Sequence, residues 1–259
     1  MKLFRIALVG PLPPPNGGMA NQTRQLAELL EREGVRVELV QVNAPYRPHW
    51  IEALRGVRAL FRLLPYLWRL WVATGRSDLM HLMANSGWSW HLFATPALLV
   101  ANWRGLPVVV NYRGGEAGPF LRKQGRFVLP LLKRAKVAVP SGFLAELFES
   151  HGLQSTIVPN IVDLDRFHAC GGSRFSSTEE LHLVVTRNLE AIYDISTALK
   201  AFAGIRMQWP GARLTIAGSG PERQQLEAEA RNLGLGASVC FAGRLEREAM
   251  ARLYSSAHV

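Results

Sequence analysis

One stretch of the sequence, residues 214–234, restricts the fold more than any other. It reads LTIAGSGPERQQLEAEARNLG, which is an apolar strand, a Gly-x-Gly-Pro turn and an amphipathic helix, and a second apolar run, VCFAGRL, follows it. A strand, a helix and another strand in this order form a βαβ unit with parallel strands. The helix-like EREAMARLYSSA and the strand-like His258 and Val259 come next. Because a parallel sheet needs elements on both faces, we expect one complete α/β domain followed by a second, incomplete one.

The first part of the chain begins with the same alternation of strands and helices. Residues 4–9 read as a buried strand, residues 20–33 as an amphipathic helix that Gly34 ends, and residues 35–42 as the next strand. Further strands are predicted at 79–83, 107–111, 137–139 and 156–158, and further helices at 90–103, 120–134, 143–151 and 194–207.

A polar, glycine-containing stretch at residues 169–180 interrupts this alternation. Such a composition is typical of an exposed linker between domains. The predicted organisation is a first Rossmann-like domain over residues 1–168, a linker over 169–180 and a partial Rossmann-like domain over 181–259.

The net charge of +10 is concentrated in the first part of the chain. Residues 1–180 contain 21 Lys and Arg against 13 Asp and Glu. Nucleic acid, an anionic membrane or a phosphorylated substrate would each explain such an excess, but no recognised nucleic-acid-binding module is present.

The cysteines, Cys170 and Cys240, lack the spacing of a metal site. We expect Cys240 to be a buried strand residue and the protein to occupy a reducing compartment.

Residues 47–76 interleave arginines with leucines and aromatic residues, and Glu52 is their only acidic residue. We expect a helix that Pro65 kinks or divides. Arginines beside apolar side chains suit a helix lying on anionic lipid. The alternative is an amphipathic helix packed on its own sheet, with arginines that extend to water. The candidate membrane-interface residues are Trp50, Arg55, Arg58, Arg62, Trp68, Arg69 and Trp71.

Glycines and one arginine follow predicted strands, where ligands of open α/β sheets bind. Gly17 and Gly18 precede the first helix, so backbone N–H groups at that helix N-terminus would be accessible to an anion, although a plain turn has the same pattern. Gly218 and Gly220 form a similar loop before Glu222. Arg187 directly follows the strand LHLVVT and suits a cationic clamp on phosphate; the alternative is an ordinary surface arginine.

The chain contains, in this order, the motifs GPLPPPNGGMANQTRQLAELL, LPVVVNYRGGEAG, VPSGFLAELFESHG, TIVPNIVDLDRF, LVVTRNLEAIYDISTALKAF, ARLTIAGSGPERQQLEAEARNLGL and VCFAGRL. Together these motifs resemble the family 4 glycosyltransferases, which have the two-domain GT-B fold. The resemblance covers essentially the whole chain. It implies a retaining, metal-independent transfer of a sugar from a nucleotide-sugar donor, which is a substrate rather than a cofactor. The first domain would bind a glycan or lipid-linked acceptor, and the second the donor.

The resemblance also implies roles for single residues. Arg187, Gly17 and Gly18 would contact the donor diphosphate, and Arg113 would take the place of a catalytic histidine of the family without acting as a general base. The residues implied on the nucleotide side are Gly218, Gly220, Glu222 and Arg244.

Two departures from the family pattern stand out. Ile192 or Tyr193 occupies the place of a second cation, and the sequence ends before the family's E-x-x-x-x-x-x-x-E segment. We therefore expect a C-terminally truncated enzyme with little or no activity as this chain alone.

Asp163 and Asp165 form an Asp-x-Asp pair, which in other glycosyltransferases binds a metal ion. Here the pair lies where the chain leaves the first domain, and this position favours a turn over a metal site.

Two alternative functions remain open at this stage. The chain could be a catalytically empty fragment that binds acceptor or nucleotide, or a nucleotide-sugar epimerase of the same fold. The predicted role is in polysaccharide or glycolipid biosynthesis. The predicted location is the cytoplasm, with peripheral attachment to the inner face of the cytoplasmic membrane if residues 50–71 contact lipid.

Overall fold

The computed structural model describes residues 4–15, 17–46, 50, 58–167 and 181–259, without the side chain of Arg58. The chain forms two compact units, residues 1–161 and 162–259. The predicted linker at 169–180 and the candidate membrane residue Arg55 lie outside the described residues.

The first unit is a parallel sheet with helices around it. Its strands are β1 (Arg5–Gly10), β2 (Arg36–Gln41), β3 (Leu79–Ala84), β4 (Val108–Tyr112), β5 (Lys136–Val139) and β6 (Ser155–Ile157). Its helices are α1 (Gly18–Arg32), α2 (Arg58–Thr74), α3 (Thr95–Trp103), α4 (Ala117–Leu132) and α5 (Gly142–Glu149), and a π-helical turn, Trp90–Ala94, leads directly into α3.

The strand order of this sheet creates a switch point. The order is β2-β1-β3-β4-β5-β6, and all pairs are parallel. The chain moves outward in one direction from β1 to β2 and then in the other direction from β3 to β6. Ligands of such sheets bind at the carboxyl ends of the strands where the direction reverses, which here is between β1 and β3.

The burial of the central strands explains why they read as unbroken apolar runs. Leu8, Val9, Met80, Leu82 and Val110 are almost completely excluded from water. Helices α2 to α5 cover these strands with a continuous core that includes the side chains of Tyr66, Leu70, Trp90 and Phe148. This rigid core fixes the positions of the loops at the strand ends, where the polar residues are found.

The second unit repeats the architecture on a smaller scale. Its strands are β7 (His182–Val185), β8 (Arg213–Ile216) and β9 (Val239–Phe241), and its helices are α6 (Ile195–Gln208), α7 (Arg223–Asn232) and α8 (Arg247–Ser255). The strands are parallel in the order β7-β8-β9. His258 N–H donates to the carbonyl of His182, and Val184 N–H donates to the carbonyl of Val259. These bonds place the last two residues beside β7, although they are not part of a strand.

The two parallel sheets confirm the predicted α/β class. Of a kink and a division of the helix, the two outcomes predicted for Pro65, the division does not occur, and α2 continues through this residue. Pro65 is exposed, so water can hydrate the carbonyl that lacks its helical bond, while buried Tyr66 and Leu70 hold the following turn on the core.

Cys240 is exposed rather than buried. It lies on β9, which pairs only with β8 among the described strands. Side chains alternate between the faces of a strand, so Val239 and Phe241 pack against the core while Cys240 points away from it.

Candidate functional site

The N-terminus of α1 lies beside the switch point of the first sheet. Gly17 is the N-cap, no described side chain caps the helix, and the first turn contains no acidic residue. A Cβ atom added to Gly17 or Gly18 would meet no atom within 4 Å. The first backbone N–H groups of this 15-residue helix are therefore accessible, and their partial positive charge favours an anion.

Arg113 follows β4 and is held next to α1 by three amide oxygens. Its Nε donates to Asn111 Oδ1 at 2.9 Å, and its Nη1 contacts Gln22 Oε1 at 3.5 Å. Nη1 also donates to Asn160 Oδ1. Gln22 lies only one turn after Gly18 on α1, so the network brings the guanidinium to the end of the sheet where the helix begins.

The charge of Arg113 is not neutralised by the part of the chain that the structure describes. All three hydrogen-bond partners are neutral amides, and no carboxylate of a described residue forms an ion pair with it. Partial burial lowers the pKa of the guanidinium from its ordinary value, yet an arginine remains protonated in a protein. A partly buried cation without a counter-ion is a favourable site for an anionic ligand.

Gln22 also fixes the segment by which the chain leaves the first unit. Its Oε1 accepts from Ile161 N–H at 2.8 Å, and its Nε2 donates to the Ile161 carbonyl at 3.0 Å. The side-chain amide thus pairs with the backbone as a neighbouring strand would. Arg113 and the exit segment at Asn160 and Ile161 are consequently part of one hydrogen-bond network.

His81 sets the orientation of the Asn111 side chain. The Nε2 atom of His81 lies 3.2 Å from Asn111 Nδ2. Burial, reinforced by the charge of Arg113, lowers the pKa of His81 to about 4. The neutral ring can accept from the Asn111 amide, which leaves Asn111 Oδ1 for Arg113. Neutral His81 therefore supports the position of the guanidinium from within the sheet.

The low pKa of His81 predicts a loss of stability in mild acid. Between its unfolded pKa near 6.5 and its folded value of about 4, only the unfolded chain binds the proton. The free energy of unfolding should therefore be fully retained above about pH 6.5 and fall by on the order of 3 kcal/mol towards pH 4. Urea unfolding at about pH 7 and about pH 4.5 measures this change.

The variant His81→Gln is the matched control for that experiment, because glutamine is neutral at every pH and retains a hydrogen-bond acceptor. His182 also has a lowered pKa, mainly through burial, and contributes in both proteins. The loss of unfolding free energy between about pH 7 and about pH 4.5 should be smaller in His81→Gln, because the contribution of His81 is absent. Identical losses in the two proteins would contradict the assignment.

Gly218 and Gly220 pack against the loop that follows β7. A Cβ atom on Gly218 would overlap the Arg187 carbonyl oxygen, and one on Gly220 would overlap the Leu189 carbonyl. Leu189 N–H donates to the Ser219 carbonyl at 3.1 Å, and Glu222 N–H donates to the Leu189 carbonyl at 3.1 Å. Contact between these two loops explains both glycines.

Arg187 lies at the carboxyl end of β7 with an exposed side chain. Its guanidinium carbon is 5.6 Å from the ring centroid of Tyr193, which occupies one of the positions that lack the family's second cation. Glu222 is the N-cap of α7, and Arg244 is exposed next to Gly243 after β9. The predicted residues of the second unit thus all follow its strands at the carboxyl end.

The candidate membrane residues have different environments. The Arg62 guanidinium lies 4.2 Å from the centroid of the Tyr46 ring and donates to the Ala44 carbonyl. The ring centroids of Trp71 and Trp103 are 4.8 Å apart in a stacked arrangement, and the Arg104 guanidinium carbon lies 3.8 Å from the centroid of the Trp71 ring. Trp50, Trp68 and Arg69 are exposed.

The Asp-x-Asp pair lies in a turn, as expected. Asp163 Oδ1 accepts from Arg166 N–H at 3.3 Å, and Asp163 Oδ2 is 3.6 Å from the Arg166 guanidinium. In the described part of the chain, no group of three or more His, Cys, Asp or Glu side chains is arranged to hold a metal ion.

Two protein families match this chain. Residues 16–166 match the family described as Glycosyltransferase Family 4, and residues 173–259 match Glycosyl transferases group 1. The first match alone covers more than half of the sequence. The chain belongs to glycosyltransferase family 4. No curated protein matches it.

Solved structures show that this glycosyltransferase has the GT-B fold. The lipopolysaccharide outer core galactosyltransferase WaaB in its apo form is 13% identical with a TM-score of 0.61, over 95% of this chain and 70% of WaaB. WaaG, a glycosyltransferase involved in lipopolysaccharide biosynthesis, is 16% identical with a TM-score of 0.57, over 97% and 73%. S. aureus MnaA in its UDP co-structure is 14% identical with a TM-score of 0.52, over 98% and 73%.

Within the first unit of this glycosyltransferase, Gly17, Gly18 and Arg113 meet at one end of the sheet. Sequence reasoning did not single out Gln22, Asn111 or Asn160 as site residues. Asn111 lies two residues before Arg113 at the strand end, and Asn160 lies in the PNIVD motif. Polar residues at those places were a usable signal, whereas the contact of Gln22 with residues 113 and 161 depends on the tertiary fold.

Proposed function

We propose that the chain is a retaining, metal-independent glycosyltransferase that moves a sugar from a nucleotide-sugar donor to a glycan or lipid-linked acceptor. The observation that carries the proposal is the uncompensated Arg113 cation beside the open N-terminus of α1. A diphosphate group has the charge that both features favour. MnaA, which has a similar fold, has been crystallised with UDP, and we extend a nucleotide ligand to this chain.

The proposed chemistry requires stabilisation of a leaving group. When the bond between the sugar and the diphosphate breaks, negative charge develops on the departing nucleoside diphosphate. Preorganised cations and backbone N–H groups stabilise such charge and are typically worth 10²–10³ in rate for a single donor. Arg113 and the N-terminus of α1 would provide these groups in the first unit. Arg187 is a separate candidate for binding the diphosphate within the second unit.

A turnover assay tests this function. Because little activity is expected of this chain alone, the assay uses a high enzyme concentration and long incubation. Panels of UDP-, GDP- and ADP-sugars with a mixed glycan and lipid-linked acceptor fraction should then release a small amount of nucleoside diphosphate together with a glycosylated product. The anomeric proton coupling of the product, measured by NMR, should match that of the donor, and EDTA should leave the rate unchanged. Inversion of the anomeric configuration or loss of turnover in EDTA would disprove the corresponding part of the proposal.

We further propose that α2 places the enzyme on an anionic membrane surface. Leu60, Phe61, Leu64 and Trp68 are all exposed, and their spacing along α2 puts them on one side of the helix. Arg69, next to Trp68 in the sequence, is also exposed. No helix of the described residues is long and apolar enough to cross a membrane. An exposed apolar stripe on a helix that also carries an exposed arginine suits a helix lying in the lipid headgroup region.

The substitution Leu64→Glu is expected to weaken liposome binding about tenfold. Leu64 is 64% exposed, so the change removes apolar contact with lipid and adds a repelling charge with little effect on the core. Co-sedimentation with vesicles that contain phosphatidylglycerol measures binding. The matched control is Met207→Glu on α6, where the side chain is 86% exposed in the other unit. Equal binding of both variants, or binding without anionic lipid, would contradict the proposal.

A further inference from the structure

The first unit contains a cavity that none of the predicted site residues line. It has a volume of about 420 Å³, within the range of about 300–1,000 Å³ that is usual for small-molecule sites. It lies between the loop after β3 and the first turns of α4. The lining residues that matter here are Ser86, Trp88, His91, Glu116, Phe120 and Lys123.

Aromatic rings form one wall of this cavity. Gly87 adopts a φ of +72°, which turns the chain after β3 and brings Trp88 to the surface. Trp88 is followed by the π-helical turn Trp90–Ala94, a rare conformation that is frequent at functional sites. The ring of His91 on this turn is in edge-to-face geometry with two neighbours. Its centroid lies 6.2 Å from the centroid of the Trp88 ring and 6.0 Å from that of the Phe120 ring.

Trp88 is exposed and does not contribute to the hydrophobic core. Its side chain is 79% exposed, whereas Trp90, two residues later, is buried in the centre of the unit. An indole ring on the surface loses apolar contact with the protein and gains it only when a ligand covers it. The Trp88 ring is therefore available as a flat platform at the mouth of the cavity.

Polar groups complete the cavity and are free to bind a ligand. Glu116, Lys123 and Gln124 line it, and none of these side chains forms a hydrogen bond or an ion pair with another described residue. One carboxylate and one ammonium group balance each other, so the site has no net preference for an anion. An amide, a carboxylate and an ammonium group beside an aromatic face match a neutral molecule that carries many hydroxyl groups.

The cavity wall contacts β4, the strand that directly precedes Arg113. Ser86 Oγ lies 2.7 Å from the hydroxyl oxygen of Tyr112, the last residue of β4. A Cβ atom on Gly114 would be 2.5 Å from Asn85 Oδ1 and 2.8 Å from Ser86 Oγ, so the loop after Arg113 packs directly on the cavity wall. A ligand in the cavity would thus be held in fixed relation to Arg113.

We propose that this cavity binds a pyranose ring of the acceptor, with the apolar face of the ring stacked on Trp88. The C–H groups of that face carry partial positive charge and are attracted to the negative face of an aromatic ring. The hydroxyl groups around the ring would bond to Glu116, Lys123 and Gln124. The inference rests on the proposed glycosyltransferase function and narrows the acceptor to a glycan, or to the sugar part of a glycolipid.

Saturation-transfer NMR on the full chain tests the proposal without any turnover. The probes are the methyl α- and β-pyranosides of glucose, galactose, mannose and N-acetylglucosamine, with inorganic phosphate titrated by ³¹P NMR for comparison. At least one pyranoside should receive saturation on the protons of one ring face. Trp88→Ala should reduce that signal at least fivefold, and Trp88→Phe should retain most of it, because phenylalanine preserves an aromatic face.

The matched control is Phe127→Ala. Phe127 lies on α4, is 68% exposed and does not line the cavity, so its replacement should leave the sugar signal unchanged. Circular dichroism of each variant checks folding. Absence of any Trp88-dependent pyranoside signal, or binding of phosphate in place of sugars, would overturn the proposal. UDP and GDP binding by the same Trp88→Ala sample reports separately on the donor site, so failure of the acceptor inference is distinguishable from failure of the proposed function.

Discussion

Arg113→Ala is expected to lower the rate of sugar transfer by 10²–10³-fold. The guanidinium is held by Asn111, Gln22 and Asn160 at the carboxyl end of β4, and no described carboxylate neutralises it. Its charge is therefore available to a diphosphate leaving group throughout the reaction. Turnover of the nucleotide-sugar that the panel identifies measures the rate, and calorimetric titration with UDP and GDP measures the affinity for the leaving group.

Three further variants define what the Arg113 result means. Arg126→Ala removes an exposed arginine of α4 and should leave both measurements unchanged. Asn111→Ala leaves the cation in place but removes the acceptor for its Nε, so we expect a smaller loss, confined mainly to the rate. Arg187→Ala should weaken nucleoside diphosphate binding in the second unit. Full activity of Arg113→Ala would exclude Arg113 from the reaction.

Gly218→Ala is expected to destabilise the second unit by about 2–4 kcal/mol. The new methyl group would overlap the backbone carbonyl of Arg187, and a backbone atom cannot move aside as the end of a flexible side chain can. The loops after β7 and β8 would have to separate, which would break the bond between Leu189 N–H and the Ser219 carbonyl. Hydrogen–deuterium exchange of peptides from residues 181–259 should localise the loss.

Other glycines of the chain give matched controls for this substitution. An added Cβ on Gly204, inside α6, meets no atom within 4 Å, so Gly204→Ala should raise stability by about 0.5–1 kcal/mol. Gly18→Ala also meets open space and should preserve the fold while weakening nucleoside diphosphate binding. Equal stability of Gly218→Ala and Gly204→Ala would show that the close approach of the two loops is not rigid.

The sequence alone was enough to predict the α/β class and the family. Apolar runs such as residues 4–9 and 107–111 mark central strands because both faces of a parallel sheet are covered, and that environment selects continuous apolar side chains. The motifs that identify the family are local in the sequence and follow predicted strands. The sequence therefore suffices to identify Gly17, Gly18, Arg113 and Arg187 as candidate site residues.

Contacts between residues that are distant in the sequence determine the surroundings of the individual glycines and the burial of single side chains. Two glycine pairs look alike in the sequence, but Gly17 and Gly18 face open space while Gly218 and Gly220 touch another loop. Cys240 has the same apolar neighbours as a buried strand residue and is nevertheless exposed, because no described element covers its face of β9. Whether a local pattern serves packing or ligand binding depends on which atoms lie opposite it, and that is set by the tertiary fold rather than by neighbouring residues in the sequence.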